Sequence, residues 1–428
     1  MLVSFGVQNY RSFAARQTLS MAAGTSARQQ ERFSFASGNS LAPDLLRSVC
    51  LFGPNGAGKS ALVQALHFFQ KFVISSAKDS QEGEKIEISS FRFDDAWRGK
   101  PTEMEATFIF DGAYYQYGFA VDEERVWSEW LFTKPNAAGA RTRRLFQREY
   151  DEDKSAYAWQ ISKTYVKGAK ELWKTSTRAN ALFLSTAIQL KAEVFRDPFD
   201  WIQNFLYVIE SPERLSPQFT ASQCSKYGLS DQILDLLRAV DIGIEKFDIE
   251  TKEFDLDGIS SNSSSETARR VVARLLGGQM EYQIKSYHQG QDGTLIPLDF
   301  EDESDGSRVV FSIAAIWLTA LECGFTLVID ELHNSLHPHA LRLLVNMFQD
   351  PKINANNAQL IFTSHETSVM AKGFMHQDQV WLVEKDDAES SKLIPLSDYK
   401  VRDISSFQKA YLDGRYGAVP KLKEYVHG

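Results

Sequence analysis

The fold of this chain is decided by residues 49–60, which read VCLFGPNGAGKS. The first four residues predict a buried strand, the glycines predict a tight turn, and the apolar spacing after Lys59 predicts a helix. This is the G-x-x-x-x-G-K-[ST] pattern between a strand and a helix. Backbone N–H groups and a helix N-terminus together form an anion site. The stretch therefore predicts binding of a nucleoside triphosphate.

Each residue of this pattern has an expected role. Lys59 is expected to lie along the β- and γ-phosphates, and the Ser60 hydroxyl is expected to ligate Mg²⁺. The other predicted nucleotide contacts in the loop and the first helical turn are Asn55, Gly56, Gly58 and Ala61. ATP and Mg²⁺ are the ligands that this arrangement predicts.

A second apolar segment, residues 327–329, ends in two acids. Asp330 is expected to hold Mg²⁺ through water. Glu331 is expected to orient or deprotonate the water that attacks the γ-phosphate. Together with the upstream glycine-rich loop, this segment predicts the second half of an ATP-hydrolysing site.

Polar residues follow two further predicted elements. Ser304 and Gly306 precede a predicted helix over 308–321 and would form a second anion-binding cap at its N-terminus. The predicted strand 359–363 leads to His365, which could touch the γ-phosphate and report its presence.

The order of these motifs resembles that of the ABC-type ATPases, including their SMC, RecF and OLD branches. By this resemblance, residues 304–307 correspond to the signature motif, which reaches ATP held by the other subunit. Residues 330–337 correspond to the second Walker motif and the D-loop, and His365 takes the switch-histidine position. Arg11 lies in a segment similar to the hairpin that approaches the nucleotide in SMC-like proteins.

Three features depart from the ABC-type pattern. His337 stands where the D-loop has Asp, and Asp305 stands where transporters have Gly. A Q-loop glutamine has no identifiable position in the sequence.

The segment after Asp330 also has an alternative interpretation as a zinc site, because positions four apart share a helix face. Its candidate ligands are Glu331, His333, His337 and His339.

A narrower resemblance extends over most of the chain. It rests on residues 2–13, 180–185, 303–307 and 411–420, which are similar to a bacterial group of single-chain ABC-type ATPases that includes the RloA proteins of restriction and abortive-infection loci. This resemblance implies an ATPase that acts as a sensor or switch in anti-phage defence. It also implies an effector from an adjacent gene, often a nuclease. The resemblance of residues 304–307 to the ABC-type signature motif implies an ATP-sandwich homodimer, or a higher even assembly.

Two other functional classes stay open. A DNA-maintenance ATPase of the RecF or SMC type would act directly on DNA. A transporter ATPase fits less well, because the long insertion and the tail have no evident membrane-coupling role.

Net charge and composition limit the classes of partner expected for this chain. The net charge of −9 and the pI of about 5.5 argue against a chain built to coat nucleic acid, although one local basic groove is compatible with them. The densest basic run is 141–144 with Arg148. It is either a solvated strand face or a contact with nucleic acid or a partner.

The sequence also predicts a soluble, cytoplasmic protein without a membrane partner. The N-terminus has no basic segment typical of a signal peptide. The apolar run 309–329 is interrupted by Glu322 and Gly324, so it predicts a helix, a turn and a strand. The three cysteines are widely spaced, as expected for free thiols in a reducing compartment.

The predicted fold class is α/β: an ABC-type P-loop ATPase head with a mixed sheet, an antiparallel β subdomain and a largely helical insertion between two lobes. The predicted domains are an N-lobe over 1–135, the insertion over 136–294, a C-lobe over 295–385 and a tail over 386–428. The remaining expectations are a mobile connector over 22–44, helices within 181–195, 201–209 and 233–240, a flexible loop over 258–268, a helix over 269–276, and strands near 281–287 and 295–300.

Overall fold

The computed structural model describes residues 1–137, 139–253, 280–371, 373–399 and 407–419. The chain separates into two compact units. Unit 1 comprises Met1–Glu210, Ala320–His333 and Leu344–Gly428, and unit 2 comprises Ser211–Thr319 and Asn334–Leu343. The predicted loop 258–268 and helix 269–276 lie outside the described residues.

The strands and α-helices of the described residues are numbered in chain order. The strands are β1 Leu2–Gln8, β2 Gln17–Ser20, β3 Ser34–Ala36, β4 Asp44–Leu46, β5 Ser48–Phe52, β6 Thr102–Phe110, β7 Ala113–Val121, β8 Val126–Lys134, β9 Arg143–Asp151, β10 Ala156–Ile161, β11 Leu206–Ile209, β12 Lys246–Glu253, β13 Met280–Gln289, β14 Leu295–Asp299, β15 Thr326–Ile329, β16 Gln359–Thr363, β17 Val380–Lys385 and β18 Ser391–Pro395. The helices are α1 Lys59–Asp79, α2 Lys170–Ser176, α3 Phe183–Gln189, α4 Arg196–Asn204, α5 Pro217–Tyr227, α6 Ser230–Ala239, α7 Asp305–Cys323, α8 Pro338–Gln349 and α9 Phe407–Leu412.

A six-stranded mixed sheet in unit 1 holds the glycine-rich loop. Its order is β11-β15-β16-β5-β17-β18, and every pair is parallel except β17 with β18. Every residue of β5, β15 and β16 is buried, as expected for strands covered on both faces. The parallel arrangement brings the C-terminal ends of β5 and β15 to the same edge, with β16 between them.

A seven-stranded antiparallel sheet forms the other layer of unit 1, in the order β10-β9-β8-β7-β6-β1-β2. The predicted turn at 111–112 joins β6 to β7. Helix α1 packs against this sheet, with the Phe69 and Phe119 rings stacked at 5.5 Å between centroids. Trp201 of α4 stacks on Phe108 of β6 at 4.0 Å. The predicted α/β fold with a mixed sheet and an antiparallel β subdomain is confirmed.

The prediction of a helix across 201–209 is wrong in its second half. Helix α4 ends at Asn204, and β11 follows it as a strand parallel to β15. The apolar spacing of 201–209 suits a helix, but pairing with a buried parallel strand decides the conformation of such a short apolar run. The segment 22–44, expected to be only a connector, contains β3 and the start of β4, and its Phe35 and Ala27 are buried.

The limits of the two units differ from the predicted domain limits. Strands β8 and β9 are hydrogen-bonded neighbours, so the predicted boundary near residue 135 falls within one sheet. Strand β11 and helices α3 and α4 also belong to unit 1. Hydrogen bonding across a sheet joins segments that composition along the chain assigns to different domains.

Unit 2 contains the three-stranded antiparallel sheet β12-β13-β14 together with α5 and α6. Helix α7 begins in this unit, where its Phe311 contacts Phe247 and Phe300 at ring distances of 5.3 and 4.7 Å. Among the described helices, α7 is long and apolar enough to cross a membrane, but 61% of its most apolar window is buried within the protein. That burial is the pattern of a core helix, and the predicted helix, turn and strand over 309–329 are observed.

A buried ion pair joins the antiparallel sheet to α3. Glu129 of β8 accepts hydrogen bonds from Arg148 Nε at 2.9 Å and from the backbone N–H groups of Phe183 and Leu184 at 2.6 and 2.9 Å. The Arg148 guanidinium also donates to the carbonyl of Ala181 at 2.5 Å. Arg148 is 0% exposed, so the interpretation of this residue as part of a solvated strand face is wrong.

Replacing Arg148 with Met should lower the free energy of unfolding by about 3–5 kcal/mol, because it leaves the Glu129 carboxylate buried without its cationic partner. Urea denaturation followed by circular dichroism measures the change. Arg144→Met, at an exposed position of the same strand, is the control and should stay within about 0.5 kcal/mol of the parent. Equal losses in the two variants would contradict this account of the ion pair.

Candidate nucleotide-binding site

The loop between β5 and α1 turns through two glycines in the left-handed region. Gly56 and Gly58 have positive φ angles of 76° and 114°. Helix α1 has Gly58 at its N-cap, which supplies no side-chain oxygen, and its first turn contains no acidic residue. The first backbone N–H groups of α1 therefore lack a side-chain cap and stay available for an anion.

Gly58 lies where two other segments approach the loop. A Cβ atom at this position would lie 2.2 Å from Ser391 Oγ and 2.7 Å from Ser12 Oγ. Ser391 Oγ donates to the carbonyl of Ala57 at 2.5 Å, and its N–H donates to the carbonyl of Ser12 at 2.7 Å. Glycine is thus required by close packing as well as by φ, and Ser391 holds the loop from outside.

Lys59 is the buried cation of the site. It is 5% exposed, and its Nζ donates to the carbonyls of Gly53 at 2.9 Å and Pro54 at 3.3 Å. Burial lowers the pKa of Lys59, while the nearby charges of Asp330 and Glu331 act in the opposite direction. A buried ammonium group beside backbone N–H donors favours an anionic ligand.

Asp330 and Glu331 follow β15 and are oriented by Thr363 at the end of β16. Thr363 Oγ1 donates to Asp330 Oδ1 at 2.6 Å and accepts from the Glu331 N–H at 2.7 Å. Asp330 is 6% exposed, and Glu331 has a positive φ of 52°. This left-handed turn at a non-glycine residue is sparsely populated and is common at functional sites.

His365 lies beside this group, two residues beyond β16. Its ring is 5.5 Å from the ring of His333, centroid to centroid. Partial burial lowers the pKa of His365, and the Lys59 ammonium group lowers it further. Burial also lowers the pKa of His333. Both imidazoles are therefore expected to be neutral at pH 7, so each can donate and accept a hydrogen bond.

The other predicted residues of unit 1 lie around the same loop. Ser60 and Ala61 are in the first turn of α1, and Asn55 is exposed in the loop. Arg11 is exposed in a tight turn with φ of 50°, and its Nε donates to Tyr10 Oη at 3.3 Å. That turn reaches α1 because Tyr10 Oη donates to the carbonyl of Gln64 at 3.4 Å.

Ser304 and Gly306 lie in unit 2, at the start of α7. Ser304 Oγ accepts from the N–H of Ser307 at 3.1 Å, so Ser304 caps the helix. Ser304 is exposed, and Gly306 is half-buried. A Cβ atom on Gly306 would lie 2.7 Å from the carbonyl oxygen of Ser335, so glycine permits this close approach.

Glu303 connects this cap to the sheet of unit 2. It is buried and accepts hydrogen bonds from Ser286 Oγ and His288 Nε2, each at 2.6 Å. Burial opposes ionisation of Glu303, but these hydrogen bonds outweigh it and hold its pKa below the usual range. The residue before the serine cap is thus anchored as a carboxylate.

Sequence reasoning missed several residues at the ends of the central strands. Glu210 follows β11, whose Ile209 is in register with Ile329 of β15, so Glu210 and Asp330 occupy neighbouring register positions at one edge. Glu210 pairs with His67 of α1 at 3.0 Å. The helix prediction for 201–209 concealed this position. Ser391 and Thr363 were missed because their partners are distant in sequence.

The donor set in unit 1 fits a nucleoside triphosphate with Mg²⁺. The uncapped start of α1 and Lys59 provide positive charge for phosphates, while Ser60 and the buried Asp330 supply the oxygen ligands that Mg²⁺ prefers. Among the described residues, no group of three or more His, Cys, Asp or Glu side chains is arranged to hold a metal ion by itself. A magnesium ion that is partly coordinated by phosphate oxygens needs fewer protein ligands.

The loop, its buried lysine and the Asp-Glu pair that ends β15 at the same edge of the sheet define a P-loop nucleotide-binding protein. Residues 48–371 match the protein family described as "AAA domain, putative AbiEii toxin, Type IV TA system". Because the match spans most of the chain, the protein belongs to this family.

Comparisons with individual proteins give weaker results. No curated protein matches the chain. Among solved structures, the chain is similar to the SMC head domain from Thermotoga maritima, with 12% sequence identity, a TM-score of 0.38, and coverage of 92% of this chain and 98% of that one. It is also similar to the recombination mediator protein RecF-ATPrS in the RecFOR pathway, with 12% identity, a TM-score of 0.39 and the same coverage. Similarity at this level assigns neither a ligand nor a partner.

Replacing Lys59 with Met should raise the pKa of His365, because the Lys59 charge lowers it. NMR titration of the ring protons measures this shift, with His365→Gln used to assign the signal. Lys71→Met, at an exposed position of the same helix, should leave the pKa of His365 unchanged. An unchanged pKa in Lys59→Met would contradict the inferred proximity.

The lowered pKa also has a consequence for stability. The unfolded state binds more protons than the folded state between the folded pKa and the ordinary value of 6.5. The contribution of His365 to the free energy of unfolding is therefore fully present above pH 6.5. It is lost as the pH falls through the pKa of His365 in the folded state.

Proposed function

We propose that this protein is an ABC-type ATPase whose ATP-dependent self-association acts as a switch in anti-phage defence and controls a separately encoded effector. The ATPase part is supported chiefly by one observation: the phosphate loop after β5 and the Asp-Glu pair after β15 lie at the same edge of one parallel sheet. The coupling between the charges of Lys59, Asp330 and Glu331 is consistent with that placement.

In the proposed reaction, the loop holds the triphosphate and Lys59 neutralises its β- and γ-phosphates. Ser60 and Asp330 would hold Mg²⁺, which supplies charge neutralisation to the phosphates when it is bound. Glu331 accepts a proton from the attacking water. Its backbone is held by Thr363, so its position is set by β16 as well as by its own strand.

Self-association is proposed from the second helix cap. Ser304 is exposed and caps α7, so its free surface can face the nucleotide held by a second copy of the chain. Closure of Ser304 and Gly306 over that nucleotide would make the γ-phosphate part of the interface. Hydrolysis and phosphate release would then loosen the pair, with His365 sensing the γ-phosphate.

The proposed defence role is supported by a family description and by a sequence resemblance. The family description names an AbiEii toxin and a type IV toxin–antitoxin system. The sequence also resembles the RloA-like group of restriction and abortive-infection loci. We propose that a nuclease from an adjacent gene is the effector. Direct action on DNA as a RecF-type or SMC-type ATPase is the alternative.

Lys59→Ala should abolish ATP binding, because it removes the buried cation that faces the phosphates. Glu331→Gln should keep ATP binding but lower the turnover rate by about 10²-fold or more, since a general base typically contributes 10²–10⁴-fold. It should also accumulate an ATP-bound assembly, which mass photometry detects. Phosphate release measures turnover.

Ser304→Arg on the Glu331→Gln background should prevent that assembly without changing ATP binding to the single copy. Arg308→Gln, one turn further along α7, is the control and should leave assembly intact. Hydrolysis by Glu331→Gln at the parental rate would refute the base assignment, and assembly by the Ser304→Arg variant would refute the cap assignment.

The proposed defence role predicts that the natively expressed protein co-purifies with the product of an adjacent gene. Toxicity on phage infection should require both the partner and an intact Lys59. To measure this dependence, each gene is expressed alone and both are expressed together, and cell survival on phage infection is compared. Lys59→Ala, expressed with the partner gene, is the control. ATPase activity stimulated by DNA, without any such partner, would instead support the DNA-maintenance alternative.

A further inference from the structure

A strongly basic surface lies at one end of the antiparallel sheet of unit 1, within an otherwise acidic chain. Segments 133–148 and 161–170 contain eight Lys and Arg residues and no Asp or Glu, whereas the whole chain has a net charge of −9. One of the eight, Arg148, is the buried partner of Glu129. The other seven form what we call the basic edge: Lys134, Arg141, Arg143, Arg144, Lys163, Lys167 and Lys170.

Sheet register brings these segments together. The end of β8 pairs with the start of β9, with Thr133 opposite Arg143. The end of β10 pairs with the same part of β9, with Ile161 opposite Phe146. The chain after β10 remains beside the start of β9, because the N–H of Ser162 donates to the carbonyl of Leu145 at 3.0 Å. The end of β8, the start of β9 and the end of β10 therefore lie together at one end of the sheet.

The positive side chains of the basic edge do not form salt bridges with acidic side chains of the described residues. Throughout the described parts of the chain, no ion pair joins any of the seven side chains to Asp or Glu. Arg141, Arg144, Lys163 and Lys167 are exposed. Lys167 and Lys170 instead donate to the backbone carbonyls of Lys163 and Ser162, at 3.1 and 2.8 Å.

The opposite end of the same strands has the reverse charge. The end of β9 and the start of the turn to β10 comprise residues 149–153, which read EYDED. Asp151 is paired with Lys154 there, at 2.5 Å. An ordinary solvated face mixes both signs along its length. Separation of the signs between the two ends gives the basic edge a local positive field, which attracts anions.

An aromatic side chain accompanies the cations. Tyr165 is 44% exposed, and the Arg143 guanidinium lies 4.5 Å from the centre of its ring. Its N–H donates to Ser162 Oγ at 3.1 Å, which holds the ring beside the edge. Arginine combined with an exposed tyrosine provides both phosphate contacts and a stacking surface for a base.

We infer that the basic edge binds the phosphate backbone of a nucleic acid. The arginine side chains suit bidentate contacts with phosphates, and the lysines add charge without base specificity. The Arg143–Tyr165 pair favours a nucleic acid over an acidic protein, because a base can stack where a carboxylate side chain cannot. This binding is a further activity beyond the proposed ATP switch, since none of its residues belongs to the nucleotide site.

The test compares two variants of the full chain that remove the same number of charges. The edge variant combines Arg141→Gln, Arg144→Gln, Lys163→Gln and Lys167→Gln. The control variant combines Lys71→Gln, Arg98→Gln, Lys226→Gln and Lys352→Gln, all at exposed positions elsewhere. Unchanged circular dichroism and ATP binding show that each variant is folded.

Fluorescence anisotropy is measured with labelled duplex DNA, single-stranded DNA and single-stranded RNA of equal length, over a range of salt concentrations. The parent should bind at least one of them. The edge variant should bind it about tenfold more weakly or worse, and its salt slope should fall by roughly 0.7–0.9 for each lost phosphate contact. The control variant should match the parent. Tyr165→Leu should weaken binding of single strands and leave duplex binding unchanged, since only unpaired bases can stack.

Three results would overturn the inference. The first is failure of the parent to bind any of the three nucleic acids. The second is an equal loss of affinity in the two quadruple variants, which would show an effect of bulk charge. Tighter binding of labelled polyglutamate than of any nucleic acid would instead indicate an acidic protein partner.

Discussion

The buried ammonium group of Lys59 is the constraint on which the nucleotide site depends. A cation in this position is costly unless anionic groups face it. The sheet provides them by ending β15 in Asp330 and Glu331, one strand away from β5 across β16. Thr363 of the intervening strand then joins the two acids through one hydroxyl. The order of three parallel strands therefore sets the distances between groups that are far apart in sequence.

Contacts from outside the strand–loop–helix unit hold the phosphate loop in shape. Ser391 reaches it from the start of β18, and the turn that includes Ser12 reaches it from the N-terminus. At its other end, α1 is held by the segment before α3, since Leu182 donates its N–H to Ser76 Oγ at 3.1 Å. That same segment is fixed by the buried pair of Arg148 and Glu129. The antiparallel sheet is thus connected to the nucleotide-binding helix by hydrogen bonds.

Much of the site was predictable, because its residues occur in local patterns. The loop, the start of α1 at Lys59, the strand before Asp330 and the hairpin at 111–112 all follow from neighbours within a few positions. Residues whose role depends on a distant partner were not predictable. Glu210 was concealed by a short apolar run that suits either a helix or a strand, and pairing with β15 decided between them. Arg148 looked like one member of a basic run until β8 and α3 enclosed it.

The sequence by itself determined that the chain contains a phosphate loop, an acidic strand end and a serine-capped helix, because each is encoded by consecutive residues with strong local preferences. Only the tertiary structure decided which side chains meet. It placed Thr363 between the two acids, Ser391 against the loop and three basic segments at one sheet edge. The physical reason is that strand order and register are set by burial of whole apolar faces and by hydrogen bonding between strands. These interactions join positions that no short stretch of sequence contains together.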